Sequence, residues 1–241
     1  MKKLLASLLT AGCMNISAAT AQDLTIEITN LTNAVYFTPL LVSAHNAQTH
    51  LFQPGVAASA SLQAMAEGGD ISGLEAELSA AGANNVANPG GGLLAPGAMA
   101  STSLRTDKNN TRLSVVAMLL PTNDGFAGLN AIKIPKKRGT YTYYIKGYDA
   151  GTEANDEIIN GGGAPGVPGI PADPGDNGGS GASGVTNTEN NTTVHVHRGT
   201  LGDMEPVGGI SDLDSSVHHW LNPVAKVVVT VNRRKHDEDD N

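Results

Sequence analysis

Residues 112–125 read RLSVVAMLLPTNDG, an apolar run that ends in a turn. The first nine of these residues are almost all apolar, which is typical of a strand with both faces covered, at the centre of a sheet. Residues 121–125 then end the strand with Pro, Asn and Gly, the residues that favour turns. The stretch therefore predicts a central strand that carries Asp124 to one end of the fold.

Shorter runs on both sides of this strand alternate apolar and polar residues, as half-buried strands do. They are residues 24–29, 98–106, 140–148, 194–197 and 225–231. The run 36–45 is also apolar, but Pro39 within it indicates an edge strand or a bulge. Residues 131–134 suit a short strand or a turn. With no βαβ, Rossmann or P-loop pattern, the sequence predicts an all-β fold, an antiparallel β-sandwich.

Two short segments have helical periodicity. Residues 57–67 form the first, with Ser59 as a plausible N-cap and residues 68–69, both Gly, as its stop. Residues 74–81 form the second, and Gly82 ends it. Both are short and Ala-rich, so we expect them to cover a sheet edge rather than to form a bundle.

The domain organisation begins with a signal peptide at residues 1–21. It has a basic start, an apolar run and an A-x-A cleavage site at residues 19–21. The run is too short to span a membrane, so we expect a secreted or periplasmic protein. Lipoprotein processing at Cys13 is the minor alternative, because residues 9–13 resemble a lipobox.

The remainder predicts one sandwich domain over residues 22–232. Within it, residues 160–193 are rich in Gly, Pro, Asn, Ser and Thr, and too poor in apolar residues to order themselves, so we expect a flexible loop. Residues 233–241 form a charged tail that should fray.

The charge balance limits the class of partner. The full chain has a net charge of −8, and removing residues 1–21 takes away two lysines and no acid, which gives about −10. This balance disfavours nucleic acid and anionic membranes as partners. The one cysteine also leaves with the signal, so an exported chain has no disulfide and relies on its core or on a bound metal.

A second acidic stretch, GYDAGTEANDE at residues 147–157, follows the Tyr-rich strand. It places Asp149 and Glu153 four residues apart on a turn that contains glycine. Together with Asp124, these are three carboxylates at strand ends, and carboxylate oxygens are the ligands that Ca²⁺ prefers. The sequence thus predicts one hard-cation site, against the alternative of three solvated loop acids. Asp156 and Glu157 are either further ligands or solvated acids.

The histidines offer a different metal site. His195 and His197 would share one face of a strand and could supply half of a zinc or copper site. A third ligand would have to be His45, His50 or Asp203, and nothing in the sequence places these together. The alternative is a strand with polar residues on its exposed or edge face.

Two other polar clusters have simpler interpretations. Residues 218–220, His-His-Trp, suit a loop that packs Trp220 onto the sandwich. Residues 136–138, Lys-Lys-Arg, suit a solvated turn that could meet an acidic partner or a sulfated glycan.

Four stretches together resemble the spondin domain, the module of F-spondin and of many bacterial exported proteins. They are ITNLTNAVYFTPLLVSAHNAQTHLF at 28–52, LQAMAEGGD at 62–70, YDAGTEANDE at 148–157 and NPVAKVVVTV at 222–231. They follow the order of the family and span most of the chain, from about residue 24 to residue 231.

The resemblance implies an antiparallel sandwich similar to calcium-dependent phospholipid-binding sandwiches. It also implies a calcium site made of Asp124, Asp149 and Glu153. Glu153 departs from the Asp usual in animal forms and reaches further by one methylene. Gly125 stands where those forms have an aromatic residue, and their cysteines are absent here.

We therefore expect a non-catalytic, exported, calcium-binding module that mediates adhesion or contact with a protein or glycan of the cell surface or matrix. No G-x-S-x-G or H-E-x-x-H motif is present. Two alternatives remain open. One is a metal-dependent hydrolase that uses His195 or His197 as a base, and the other is a calcium-dependent binder of membrane surfaces.

Overall fold

The computed structural model describes residues 20–175 and 178–232. Most of the predicted signal peptide and all of the predicted charged tail therefore lie outside the described residues. The elements are β1 (Asp23–Asn30), β2 (Tyr36–Phe37), β3 (Leu41–His45), α1 (Ala60–Gly68), α2 (Ser72–Ala80), β4 (Asn84–Ala87), β5 (Met99–Arg105), β6 (Arg112–Leu120), β7 (Gly125–Lys133), β8 (Gly139–Asp149), β9 (His195–Val196) and β10 (Ala225–Val231).

The strands form one antiparallel sheet that curls until it is nearly closed. Its order is β4-β3-β6-β7-β8-β10-β1-β5, with β2 paired to β6 and β9 paired to β8. The two end strands approach each other, and just beyond β5 the backbone N–H of Asp107 donates to the Oδ1 atom of Asn84 in β4 at 2.8 Å. The predicted all-β class and antiparallel sandwich are confirmed.

Strand β6 is buried on both faces, as its apolar run predicts. One face, which includes Val115 and Leu119, packs into the interior against β1 and β10. The other face, which includes Val116 and Met118, packs beneath the helices. The strand therefore separates two apolar layers and holds the sandwich together.

Both predicted helices are present, and α1 has the predicted cap and stop, although α1 begins three residues later than predicted and α2 begins two residues earlier. The Ser59 Oγ atom accepts a hydrogen bond from the N–H of Leu62 at 3.1 Å, and Gly69 ends α1 with a left-handed φ of 73°. The expectation that the helices cover an edge was too narrow. Leu62 of α1 and Leu78 of α2 join the layer on the outer face of β6 and β7, and α2 also contacts edge strand β4.

Two strand predictions need correction. The run 36–45 breaks after Phe37, but β3 lies inside the sheet, between β4 and β6, so Pro39 marks a break and not an edge. Strand β7 begins directly at Gly125, although only residues 131–134 suggested a strand. Its segment GFAGLN has weak alternation, and pairing with β6 and β8 on both sides overrides that weak local preference.

The predicted loop, residues 160–193, has no helix or named strand among its described residues. It nevertheless buries Ile170 completely, and the N–H of Ile170 donates to the carbonyl of Ile158 at 2.7 Å. The flexibility of the loop stays a prediction.

Because Met118 packs in the apolar layer beneath the helices, truncating its side chain should destabilise the protein. Met118→Ala should lower the free energy of unfolding by about 2–5 kcal/mol, because the side chain is fully buried and leaves a cavity. Met99→Ala is the matched control, since Met99 is also a strand residue but is 56% exposed. Its effect should stay within about 0.5 kcal/mol. Equal losses in urea denaturation would contradict the assignment of Met118 to the core.

Candidate metal centre

A tight turn delivers Asp124 to the end of the sandwich. Residues 121–124 connect β6 to β7, and the Thr122 Oγ atom donates to the carbonyl of Leu119 at 2.6 Å and accepts from the N–H of Gly125 at 3.0 Å. A Cβ atom on Gly125 would lie 2.6 Å from the Thr122 Oγ atom, so this closed turn requires glycine. Asp124 is fully buried as a result.

The second turn folds back onto Asp124. Strand β8 ends at Asp149, which pairs with Gly125 across the sheet. Gly151 then turns the chain with a φ of +70°, at a point where a Cβ atom would lie 2.6 Å from the carbonyl oxygen of Asn191. The N–H of Glu153 consequently reaches the Asp124 Oδ2 atom at 3.1 Å. The fold thus brings the two predicted acidic turns together.

The three carboxylates are unequally satisfied. Asp124 Oδ2 accepts hydrogen bonds from the backbone N–H of Thr152 at 2.8 Å, the Thr152 hydroxyl at 3.2 Å and the N–H of Glu153. Asp149 accepts from the Gly151 N–H and the Asn155 side chain, both at 2.8 Å. Two buried oxygens, Asp124 Oδ1 and Glu153 Oε1, have no partner. Buried polar atoms normally have one, so these two call for an explanation.

Positive charge is scarce around the acids. In the described ranges, no Lys or Arg forms an ion pair with any of the three, and the basic atom that contacts them is His195 Nε2, 3.7 Å from Asp149 Oδ2. Burial, and then the charge of Asp149, raise the pKa of Asp124 to about 7. Burial is also the main cause that raises the pKa of Glu153 to about 7. Burial raises the pKa of Asp149 as well.

This donor set suits a hard cation. Carboxylate oxygens are calcium ligands, and the two unpartnered oxygens are free to accept one. The described residues, however, contain no group of three or more His, Cys, Asp or Glu side chains arranged to hold one ion together. Coordination by all three predicted acids would therefore require side chains to move.

The two further acids have structural roles. Asp156 accepts from the Asn123 amide at 2.7 Å, which ties the two turns to each other. Glu157 is 3% exposed, so it is not a solvated acid. It accepts from the N–H groups of Leu201 and Gly202 and from the Ser211 hydroxyl, at 2.7–2.8 Å, and so anchors the loop that contains residues 201–211.

The histidine pair does not form a metal site. Strand β9 ends before His197, which is buried and packs against Trp220 with ring centroids 5.1 Å apart and ring planes tilted by 34°. The His197 Nδ1 atom accepts from the N–H of Gly199 at 2.9 Å, so Nε2 carries the proton of the neutral ring and offers no lone pair. Burial lowers the pKa of His197 to about 3. Trp220 joins the interior layer, as predicted.

The candidate third ligands lie in other networks. His45 Nε2 faces the Ser114 hydroxyl at 2.7 Å, and His50 Nδ1 faces the Asn130 amide at 3.2 Å. Asp203 accepts from the N–H groups of Ile210 and Ser211 and closes its own loop. His218 contacts Asp173 at 3.3 Å.

Sequence reasoning missed Glu67, whose charge also raises the pKa of Glu153. A signal was present, because Glu67 is a charged residue beside the apolar face of α1, next to Met65 and Ala66. It is fully buried, and a buried carboxylate requires partners from elsewhere in the fold.

The fold and the acids define a class: an antiparallel sandwich in which two turns bring buried carboxylates together at one end. A protein-family profile described as Spondin_N matches residues 29–157, which is more than half of the chain and includes Asp124, Asp149 and Glu153. The chain belongs to the spondin N-terminal domain family, and it is a spondin-like extracellular module. No curated protein sequence matches it. Among the described residues, no helix is long and apolar enough to cross a bilayer.

The raised pKa values predict how stability depends on pH without metal. The folded carboxyls of Asp124 and Glu153 titrate near pH 7 and the unfolded ones near pH 4, so the folded state binds more protons between these values. The contribution of these two carboxyls to stability should therefore fall as pH rises from 4 to 7.

The measurement is thermal melting in a chelator at pH 5, 6 and 7, with Asp124→Asn beside the wild type. The wild type should lose Tm relative to the variant as pH rises. The contribution of His197 has the opposite sign below pH 6.5, but both proteins share it and it cancels in the difference. Parallel profiles would contradict the shift assigned to Asp124.

Proposed function

We propose that the protein is an exported, non-catalytic module that binds Ca²⁺ through Asp124, Asp149 and Glu153. The observation that carries the proposal is the pair of unpartnered buried oxygens, Asp124 Oδ1 and Glu153 Oε1, in a site with no Lys or Arg ion pair among the described residues. A divalent cation would supply the missing positive charge and the missing contacts.

The ion would act structurally. Asp124 ends the turn after β6, and Glu153 belongs to the turn after β8, so a cation that contacts both would link two connections of the sheet. Without a metal, the ionised carboxylates repel each other. This repulsion contributes to the raised pKa of Glu153, through the charge of Asp124, and to the raised pKa of Asp124, through the charge of Asp149. Binding would replace this repulsion with attraction and stabilise the end of the sandwich.

The stabilised end would serve as a contact surface for adhesion to a protein or glycan of the cell surface or matrix. Support comes from membership of a family of extracellular modules and from the acidic balance of the chain, which disfavours nucleic acid. Secreted or periplasmic placement follows from the N-terminal pattern described above. Processing at Cys13 remains the minor alternative.

Calcium should raise the Tm of the wild type in a concentration-dependent way. A ligand that binds only the folded state adds about 2.7 kcal/mol at about a hundredfold excess over its Kd. Asp124→Asn should lose most of this rise, because it removes the charge at the centre of the cluster. Glu205→Gln, which removes an exposed acid elsewhere, should keep it. An absent rise in the wild type, or an equal rise in Asp124→Asn, would reject the calcium site.

One observation favours a metal-dependent hydrolase as the second candidate. His195 Nε2 lies 3.7 Å from Asp149 Oδ2, and Nδ1 faces the carbonyl of Thr193 at 2.8 Å. The carbonyl can only accept, so Nδ1 is the protonated nitrogen of the neutral ring and Nε2 is left as a base beside the acids. A base beside a cation could activate water for phosphoester hydrolysis.

Hydrolysis of bis(4-nitrophenyl) phosphate with added Ca²⁺ or Mg²⁺ separates the two candidates. We expect no turnover. Turnover that disappears in both His195→Ala and Asp124→Asn would instead establish the hydrolase.

Exposed apolar side chains bear on the membrane-surface alternative. Met204 and Val207 are each 81% exposed, and Leu221 is 76% exposed. Co-sedimentation with phosphatidylserine vesicles, once with Ca²⁺ and once with chelator, tests the hypothesis of calcium-dependent membrane binding. We expect the protein to stay in the supernatant in both conditions, and calcium-dependent pelleting would favour the membrane binder.

A further inference from the structure

The segment that follows the acids, residues 158–170, forms a closed loop, and we call it the glycine strap. Its base is joined by the N–H of Ile170, which donates to the carbonyl of Ile158 at 2.7 Å, and by the N–H of Asn160, which donates to the carbonyl of Ile170 at 3.3 Å. The strap lies just beyond the residues matched by the Spondin_N profile. Its contacts are therefore features of this chain that the family match does not describe.

The far part of the strap is fastened to helix α1. The N–H of Gly166 donates to Glu67 Oε2 at 2.6 Å. A Cβ atom built on Gly68, the last residue of α1, would overlap the carbonyl oxygen of Gly163. The two backbones touch at this point, and only glycine at position 68 permits the contact.

The base of the strap is fastened to the acid site. The N–H of Gly169 donates to Glu153 Oε2 at 3.0 Å, and the other oxygen of Glu153 is the unpartnered one. Glu67 is fully buried, and both of its oxygens are used, since Oε1 accepts from the Gln63 amide at 2.8 Å. Each oxygen of Glu67 thus already accepts a hydrogen bond, unlike Asp124 Oδ1 and Glu153 Oε1, so its contacts assign it to the strap rather than to the ion.

We infer that the glycine strap forms one wall of the cation site and that Glu67 is a positioning residue that holds it closed. Closure fixes Glu153 by one oxygen and leaves the other available to the ion. Opening would strip the Gly166 and Gly169 partners from two buried carboxylates, so closure is favoured even without metal. The inference rests on the proposed function, because it assigns the regulation of that same site.

Coupling of this kind is reciprocal. If strap closure tightens calcium binding by a given factor, calcium must favour the closed strap by the same factor. Typical coupling corresponds to roughly 5-fold to 150-fold in affinity. If the strap and the site are coupled, the slowing of strap exchange by calcium and the loss of calcium affinity on full opening of the strap must agree.

Hydrogen exchange of the full-length protein, read by mass spectrometry over peptides from residues 158–170, measures closure. Calcium should slow strap exchange by roughly 5-fold or more relative to chelator. Gly68→Ala should speed strap exchange, because the new Cβ displaces Gly163. It should also weaken calcium binding in calorimetry, by at most the factor by which calcium slows strap exchange in the wild type. Alanine is the better helix former, so α1 itself is not weakened. Gly90→Ala, whose Cβ would meet the Ala100 Cβ at an ordinary 3.6 Å, is the control.

A second pair of variants isolates Glu67. Glu67→Ala removes the acceptor for the Gly166 N–H, so strap exchange should speed up and calcium affinity should fall. Glu67→Gln retains an oxygen acceptor, so it should restore strap protection to near the wild-type level. If Glu67 served only to stabilise the helix, Glu67→Ala would lower the Tm but would leave strap exchange and calcium affinity unchanged.

The outcomes separate the two proposals. Calcium binding to the wild type with strap exchange unchanged, or Gly68→Ala binding calcium as the wild type does, would overturn the strap and leave the calcium site intact. No calorimetric binding to the wild type would overturn the calcium site and the coupling together.

Discussion

The hydrogen bonds from the turn after β8 to the buried carboxylate of Asp124 are the interaction on which the end of this sandwich depends. One oxygen, Oδ2, accepts all three of them, and they draw the second acidic turn onto the first. The same burial that makes these bonds strong raises the pKa of Asp124 and leaves Oδ1 without a partner. The site is thus well connected by hydrogen bonds and poor in positive charge, which is the condition under which a cation binds favourably.

The sandwich buries the three acids at the end of its apolar layers. Strand β6 carries one apolar layer on each face, and the turn that holds Asp124 emerges directly from its end. The helices, beyond covering the outer layer, bring Glu67 to the same region, where it fastens the glycine strap. The strap in turn contacts Glu153. The core strand, helix α1 and the glycine strap therefore all contact the region of the acids, directly or through Glu67 and Glu153.

Local sequence patterns fail to predict a strand when its extended conformation depends on the strands that pair with it. Strands β1 and β10 were predictable because Leu24–Thr29 alternates strictly and Ala225–Val231 is rich in valine, a strong strand former. Strand β7 was not, since GFAGLN takes its extended form from two flanking strands. The acids could be nominated by residue type and turn position. Their shared burial and the hydrogen bond from Gly166 to Glu67 could not be predicted, because these contacts join residues that are far apart in the sequence.

From the sequence alone follow the all-β class, the central doubly covered strand, helix α1 with its Ser59 cap, helix α2 and the carboxylate type of the candidate site. These depend on periodicity, on turn residues and on charge, all of which are local. Only the tertiary structure decided which acids meet, that Glu157 anchors a loop, that His197 turns inward while His195 faces Asp149, and that a glycine strap fastens to Glu67. The physical reason is that burial and hydrogen-bond partnership belong to pairs of residues brought together by the sheet, and no single segment encodes them.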